Sequence, residues 1–395
     1  MNLEVLKRVQ NADVYKNGTL AGGLSRTAGG AVRFAYTENY LQTGGSPVAF
    51  SLPLAIESVE KANGALPAFF AGLLPEGHRL TVLKNAAKTS FDDEMTLLLA
   101  VGADVPGDVQ VVPAGENPLE PDALADASSP EELDFAALAN SVDLHGLPGV
   151  QDKASASMLT TPLAARGQRY LLKLDPAQNP HLVLNEAAHL VGAKALKIPV
   201  VSSEIVHDKN ARAGLLVKRF DRTQDGTEKW CRLPLEDGTQ VMGLPPAAKY
   251  GVGSEEVTLA LAERCEARLP AMRNFYLQFL FAWLTGNGDL HAKNLSILGD
   301  GSGAFAPAPV YDVPCTLLYG DETMALPVAG KIKNLRKRHW DDFAQSLGLP
   351  ARAAASANKL ALKAASSVDL SMLPFAGSPL RGTERELRFR RHELE

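Results

Sequence analysis

At 395 residues, with 46% hydrophobic and 22% charged positions, the chain can bury a sizeable core and has the balance of an ordinary globular protein of two or three domains. A formal net charge of −5 excludes a globally basic nucleic-acid binder, and three dispersed cysteines, Cys231, Cys265 and Cys315, exclude a disulfide framework or a cysteine-based zinc site. The charged N-terminus lacks a signal-peptide apolar run and no stretch is long and apolar enough to span a bilayer, so a cytoplasmic location is expected.

Residues 1–112 read as a β-rich module with added helices. Residues 12–15 lead into Asn17-Gly18, a hairpin signal, because both central positions of the favoured tight turn need positive φ. Strands are expected over 20–24 and 31–36, and helices over 78–87 and 92–101. Leu73-Leu74-Pro75-Glu76-Gly77 reads as a Pro/Gly turn between apolar elements, with a functional corner as the alternative. Residues 113–132 are rich in Pro, Ala, Ser and acid, which places a linker over 113–140.

The next part, 141–224, opens with Gly149-Val150-Gln151-Asp152-Lys153, in a small, polar stretch before a strand. Such a loop can lay amides around phosphates, or it can be an ordinary hairpin tip. In the strand 169–174, Lys173 interrupts the apolar run, so it must snorkel or find an anion. In kinases a strand lysine contacts the α- and β-phosphates and pairs with a helix glutamate. Glu186, expected in the first turn of a helix over 184–196, suits that pairing or the helix dipole. His189, one turn on, reads as a surface or packing residue. Strands over 199–207 and 214–220 follow, and the second leads to Lys218-Arg219-Phe220-Asp221-Arg222. The order strand, helix, strand, strand is that of a kinase N-lobe, whose hinge meets adenine. A charged strand end at the surface is the alternative.

The last part, 225–395, reads as mainly helical. A buried helix over 275–284 runs into Gly286-Asn287-Gly288-Asp289-Leu290-His291-Ala292-Lys293-Asn294. Asp289 and Asn294 have the spacing of a kinase catalytic loop, where the acid orients the attacking hydroxyl and the amide holds magnesium. A polar helix-to-strand turn is the other reading. A hairpin over 295–310 returns Tyr311-Asp312 beside the loop, so Asp312 should approach Asp289 and Asn294 and supply the hard oxygen that Mg²⁺ takes. The basic run 331–339 reads as a solvated face or a contact for nucleic acid or an acidic partner. The alanine-rich stretch 351–365 reads as a helix, and the charged tail 383–395 is expected to fray.

Taken in order along nearly the whole chain, these motifs resemble the HipA family of serine/threonine-protein kinase toxins of bacterial type II toxin–antitoxin systems. The resemblance implies an α+β, two-lobed PI3/4-kinase-like fold, with an N-terminal subdomain over 1–112 and a helical C-lobe over 225–395. Carried over by position, it implies ATP binding by Pro148, Gly149, Val150, Gln151, Asp152, Lys153, Lys173, Lys218, Arg219, Phe220, His291, Ala292, Lys293, Asn294, Tyr311 and Asp312. Asp289 would be the catalytic acid, Glu186 would support Lys173, and Asn294 with Asp312 would hold Mg²⁺. His291 and Lys293 would add contacts near the transferred group. The implied partners are a small HipB-like helix-turn-helix antitoxin, operator DNA through that antitoxin, and a protein substrate such as an aminoacyl-tRNA synthetase. Two positions depart from the family. Gly146 stands where the autophosphorylation serine is expected, which leaves Ser141, Ser155 or Ser157 as alternatives, and Lys218 stands where an acid starts the hinge triplet. Gly288-Asp289-Leu290-His291 also resembles the loop of aminoglycoside and choline kinases, so a small-molecule kinase is a rival expectation. A degenerate kinase acting as antitoxin co-repressor is another.

Overall fold

The computed structural model describes residues 3–119, 122–139, 159–165, 168–224 and 230–395. In the N-terminal module, Asn17 and Gly18 have φ of 46° and 75°, the paired positive values that fold β1 (Asn11–Lys16) onto β2 (Thr19–Arg26). With β3 (Val32–Tyr36), the short helix α1 (Glu38–Thr43) and β4 (Val59–Lys61) the chain builds one face of a core. Helices α2 (Ala68–Gly72), α3 (Gly77–Ala87) and α4 (Glu94–Val101) cover it before β5 (Val109–Pro113) closes the sheet. The five strands are antiparallel in the order β4-β3-β2-β1-β5. Alternate residues point inward, so Val14, Leu24 and Phe34 meet Phe70 and Leu97 in a continuous apolar cluster.

Part of the expected linker is packed. Phe135, which opens α5 (Phe135–Ala139), is fully buried against Leu163, Leu172, Leu174 and Leu216. Its amide donates to Asp208 Oδ2 at 3.0 Å. Apolar side chains within an acidic, Pro-rich stretch were enough to dock it on the next sheet.

That sheet is antiparallel, in the order β6 (Leu159–Ala165), β7 (Gln168–Leu174), β9 (Ala213–Lys218) and β8 (Ser203–His207). Helix α6 (Leu182–Ala193) packs on the face opposite α5. Strand periodicity sorts the side chains: Leu172, Leu174 and Leu216 face α5, whereas Leu215 and Val217 face α6. Lys173 therefore lies on the α6 side. Beyond it run a hairpin of β10 (Arg222–Gln224) and β11 (Trp230–Arg232), then β12 (Leu235–Asp237) and α7 (Gly238–Val241).

The C-terminal body is organised around α9 (Arg268–Thr285), entered from α8 (Ser254–Ala262). Every residue of α9 from Asn274 to Thr285 is buried, as expected of a helix apolar on all sides. Strands β13 (Ser296–Gly299) and β14 (Phe305–Pro307) join β12 in a three-stranded sheet beside it. Helices α10 (Lys337–Ser346), α11 (Ala351–Ser366) and α12 (Gly377–His392) complete the body. The basic run before α10 is exposed at Lys331, Lys333, Arg336 and Lys337, with Leu335 buried beneath.

The tail does not fray as its charge suggested. In α12, Thr383, Leu387 and Arg390 form a buried stripe, and the Arg390 guanidinium stacks 3.7 Å from the Trp283 ring centroid. Its Nη2 donates to Glu322 O at 2.9 Å. Among the described residues, no helix is long and apolar enough to cross a membrane.

Candidate active site

The loop after α9 has little conformational choice. Gly286 ends the helix in the left-handed region at φ 76°, where a Cβ would press on the Leu317 and Cys315 side chains. A Cβ on Gly288 would collide with Asp321 and the Thr323 carbonyl. The Asn287 side chain accepts from Asp289 N at 2.9 Å, and Gly288 N donates to Thr316 Oγ1 at 2.7 Å. The Asp289 carbonyl accepts from His291 N at 2.8 Å and from Asn294 Nδ2 at 2.9 Å. That bond fixes the Asn294 amide with its nitrogen inward, leaving Oδ1 as the free end. Asp289 Oδ1 accepts from Tyr250 OH at 2.8 Å. Burial, with the negative charge of Asp312 adding to it, pushes the Asp289 carboxyl up to about 7; Tyr250 and Lys249 oppose.

Opposite this loop, Lys173 Nζ lies 2.8 and 2.9 Å from the two Glu186 oxygens and 3.1 Å from Asp312 Oδ1. Glu186 is fully buried and sits in the second turn of α6, because the helix starts at Leu182, earlier than the sequence suggested. A dipole role for a first-turn acid is thereby replaced by the ion pair. Asp312 keeps 36% of its side chain exposed and has φ of 56°, an uncommon conformation for a residue with a Cβ. Burial works against the Lys173 ammonium, but Asp312 and Glu186 outweigh it and raise its pKa. Burial pushes Glu186 up, while Lys173 holds Asp312 below the usual carboxylate range. Two acids share one ammonium.

The donor set suits Mg²⁺. Asp312 and the Asn294 amide oxygen are hard ligands, and magnesium sites take one or two carboxylates with water and phosphate oxygens completing the shell. Among the described residues, no group of three His, Cys, Asp or Glu side chains forms an all-protein metal cage.

The other expected residues have varied surroundings. The Lys293 ammonium does not face the cleft: it donates to Gly72 O at 3.0 Å and lies 3.1 Å from Glu76 and 3.7 Å from Asp237. Its charge is drawn to these buried acids of the adjacent elements. His291 is buried edge-on to Tyr250, with ring centroids 5.0 Å apart. Burial, then Lys249, lower its pKa to about 3, so the ring is neutral and offers no positive charge. The Arg219 guanidinium is buried on Asp104 at 2.8 Å and Asp221 at 2.9 Å. Neither a surface strand end nor a nucleotide contact by that side chain survives this placement. Lys218 continues the strand, with its amide on Ser202 O at 2.9 Å. Phe220 lies 5.7 Å from the Tyr311 ring, and Tyr311 OH donates to Lys293 O at 3.0 Å while meeting Ser296 Oγ at 2.6 Å. Ala292 is buried under α7, where its carbonyl leaves no room for a Cβ on Gly238. His189 is a packing residue, fully buried and bonded through Nδ1 to Asn185 O at 2.8 Å. Pro148 to Lys153, together with Ser141, Gly146, Ser155 and Ser157, lie outside the described residues.

Sequence reading missed Lys249, Tyr250 and Asp104, and preferred a turn to a functional corner at Glu76. Lys249-Tyr250 carries no spacing signal, and Glu76 stands in a corner that reads as a turn. Each acts through a partner far away in the chain.

Two family models match the chain: the HipA N-terminal domain over residues 12–112 and the HipA-like C-terminal domain over 145–368. The Sinorhizobium fredii protein Y4mE is 30% identical over 369 residues, covering 86% of each chain. The serine/threonine-protein kinase toxin HipA of Shewanella oneidensis is 27% identical over 320 residues, covering 74% of this chain and 72% of that one. A solved structure of HipA from the same organism, in complex with HipB and its operator DNA, superposes with a TM-score of 0.75 over 96% of both chains at 22% identity. That likeness shows the fold.

Proposed function

The chain belongs to the HipA family of kinases, and from that premise we propose that it is an ATP-dependent serine/threonine protein kinase and the toxin of a type II toxin–antitoxin pair. The observation that carries the reading is the Lys173 ammonium, which bridges Glu186 at 2.8 Å and Asp312 at 3.1 Å. A strand lysine, a helix acid and a loop acid come together from three separate segments, as phosphoryl transfer requires.

The acceptor hydroxyl would sit against Asp289, whose raised carboxyl suits it to orient the hydroxyl and take its proton. The hydroxyl oxygen bonds to the γ-phosphorus as the bond to the β-phosphate oxygen breaks, and ADP leaves. Lys173, held by Glu186, neutralises phosphate charge. Amides of residues 149–153 would wrap the phosphates, and Phe220 with Tyr311 would wall the adenine end. Asn294 and Asp312 would hold Mg²⁺, which when bound screens the charge of the β- and γ-phosphates. Proximity and charge placement would supply most of the rate.

The protein substrate in this reading is an aminoacyl-tRNA synthetase, such as glutamyl-tRNA synthetase, whose modification would stop translation and growth. A HipB-like helix-turn-helix antitoxin would hold the toxin and carry it to operator DNA; the Shewanella oneidensis relative, solved with HipB and operator DNA, supports this. Phosphoproteomics after brief induction tests the whole reading. New phosphoserine or phosphothreonine on one protein is expected with wild type and absent with Asp289→Asn. Equal labelling by both would remove Asp289 from its role, and labelling only of choline or an aminoglycoside by the purified chain would make it a small-molecule kinase.

A further inference from the structure

The catalytic loop rests on the N-terminal module as much as on its own lobe. Glu76 precedes α3, in the corner that follows α2. Its carboxylate lies 2.8 Å from Lys249 Nζ and 3.1 Å from Lys293 Nζ. The three side chains are 15%, 3% and 4% exposed. Gly72 adds a carbonyl to Lys293 at 3.0 Å. Each lysine is one residue from a group that the site uses. Lys293 precedes Asn294, and Lys249 precedes Tyr250, which donates to Asp289 at 2.8 Å.

One carboxylate thus holds two ammonium groups from two segments of the kinase body. Burial opposes its ionisation, but Lys293 and Lys249 outweigh this and lower the Glu76 pKa to about 2. Without it, two like charges would be left close together in a poorly solvated place, and Lys249 would lose the carboxylate 2.8 Å from its ammonium. The segments would part. A shift of about 1 Å in groups that position a reaction costs on the order of 10²-fold in rate.

We propose that Glu76 is a positioning residue of the phosphotransfer site, through which the N-terminal module fixes the spacing of Asp289 and Asn294. The proposal rests on the kinase reading above. It makes the module part of the catalytic apparatus and requires it to stay docked through each turnover. Glu76 acts through Lys249 and Lys293, and in the kinase reading Lys173 and Asp312 across the cleft would still hold the nucleotide, so its loss acts on turnover more than on nucleotide affinity.

The test uses full-length protein, γ-labelled Mg-ATP and a heat-treated soluble-protein extract as acceptor. Glu76→Gln is expected to lower kcat about 10- to 100-fold while KM for ATP stays within about threefold. Glu76→Asp is expected to recover part of that loss. The double variant Glu76→Gln/Lys249→Met is expected to turn over no more slowly than the worse single variant, because the two side chains act as one unit. Asp104→Asn loosens the module at another of its attachments and is expected to leave kcat within about threefold. A kcat for Glu76→Gln close to wild type, a KM rise equal to its kcat loss, or an equal kcat loss in Asp104→Asn would each overturn the proposal. Should Glu76→Gln fail to fold by circular dichroism, Glu76→Asp decides: an intermediate kcat supports the role and an unchanged one overturns it. Absence of transfer by the unmutated chain overturns the kinase reading instead, and is seen before any variant is made.

Discussion

At the strand end that the proposed reading makes the hinge, Asp104 and Asp221 meet the guanidinium groups of Arg219 and Arg222 at 2.7 to 2.9 Å, with Arg232 3.6 Å away. In the cleft, Glu186 and Asp312 meet a single ammonium, Lys173. Both clusters join distant segments through charge. The hinge cluster has at least as many cations as acids and is shut away from water, with side chains 0 to 9% exposed. Its bidentate guanidinium contacts satisfy the acids, and Asp221 also accepts from Gly107 N at 3.0 Å. The cleft cluster has an acid to spare, and that acid is part-exposed on a left-handed backbone. A balanced cluster holds two modules together. In the proposed reading, a cluster with one acid more than it has cations is the place where a metal ion would bind, at some cost in stability without it.

The largest expected effect separates the two directly. Asp312→Asn should lower transfer on the order of 10²–10³-fold, the scale for losing a charge aimed at the reacting groups, with the melting temperature within about 2 °C of wild type. A melting temperature that collapses would move Asp312 into the structural class. Asp104→Ala should do the reverse. Removing one partner from a buried ion cluster costs about 3–5 kcal/mol, while turnover per folded molecule stays within about threefold. Denaturant unfolding and an active-site titration check both numbers, and unchanged stability would mean that the hinge network is redundant.

Two smaller effects probe the borders of the comparison. Gly288→Ala would drive a Cβ into Asp321 and the Thr323 carbonyl, so the loop must shift. Roughly tenfold slower transfer is expected with little change in ATP affinity, read by steady-state kinetics and calorimetry. Glu236 lies at a further contact between the module and the kinase body, where it accepts from Phe50 N at 3.0 Å. Burial pushes its carboxyl up to about 8, against an ordinary value near 4.5. The folded chain therefore keeps a proton that the unfolded chain gives up, and wild-type stability falls as pH rises from about 4.5 to 8. Glu236→Gln keeps an acceptor for Phe50 and loses the titration. It should melt close to wild type at pH 4.5 and a few degrees higher at pH 8, by differential scanning fluorimetry. A gap that does not widen with pH would remove Glu236 from the set of strained acids.

Much of this was legible locally. The apolar periodicity of 275–284, the Asn17-Gly18 turn and the Asp289-to-Asn294 spacing all express rules that operate over a few residues. Lys173 announced itself as a cation that needed an anion, because strand alternation left it in an apolar run. The tail misled because its charge concealed a stripe of Thr383, Leu387 and Arg390, which became favourable only when Trp283 lay beneath it.

By itself, then, the sequence determined the order of elements, the residue types and spacing of the Asp289-to-Asn294 loop and the need for Lys173 to be paired. Only the tertiary structure decided which charge meets which. Lys293 was read near the transferred group and its ammonium meets Glu76, while Arg219 was read at the hinge and its guanidinium meets Asp104. A long cationic side chain can reach in several directions from one backbone position. In a low-dielectric interior its direction is set by the carboxylate that packing brings within about 3 Å. That carboxylate comes from a module that lies far away in sequence.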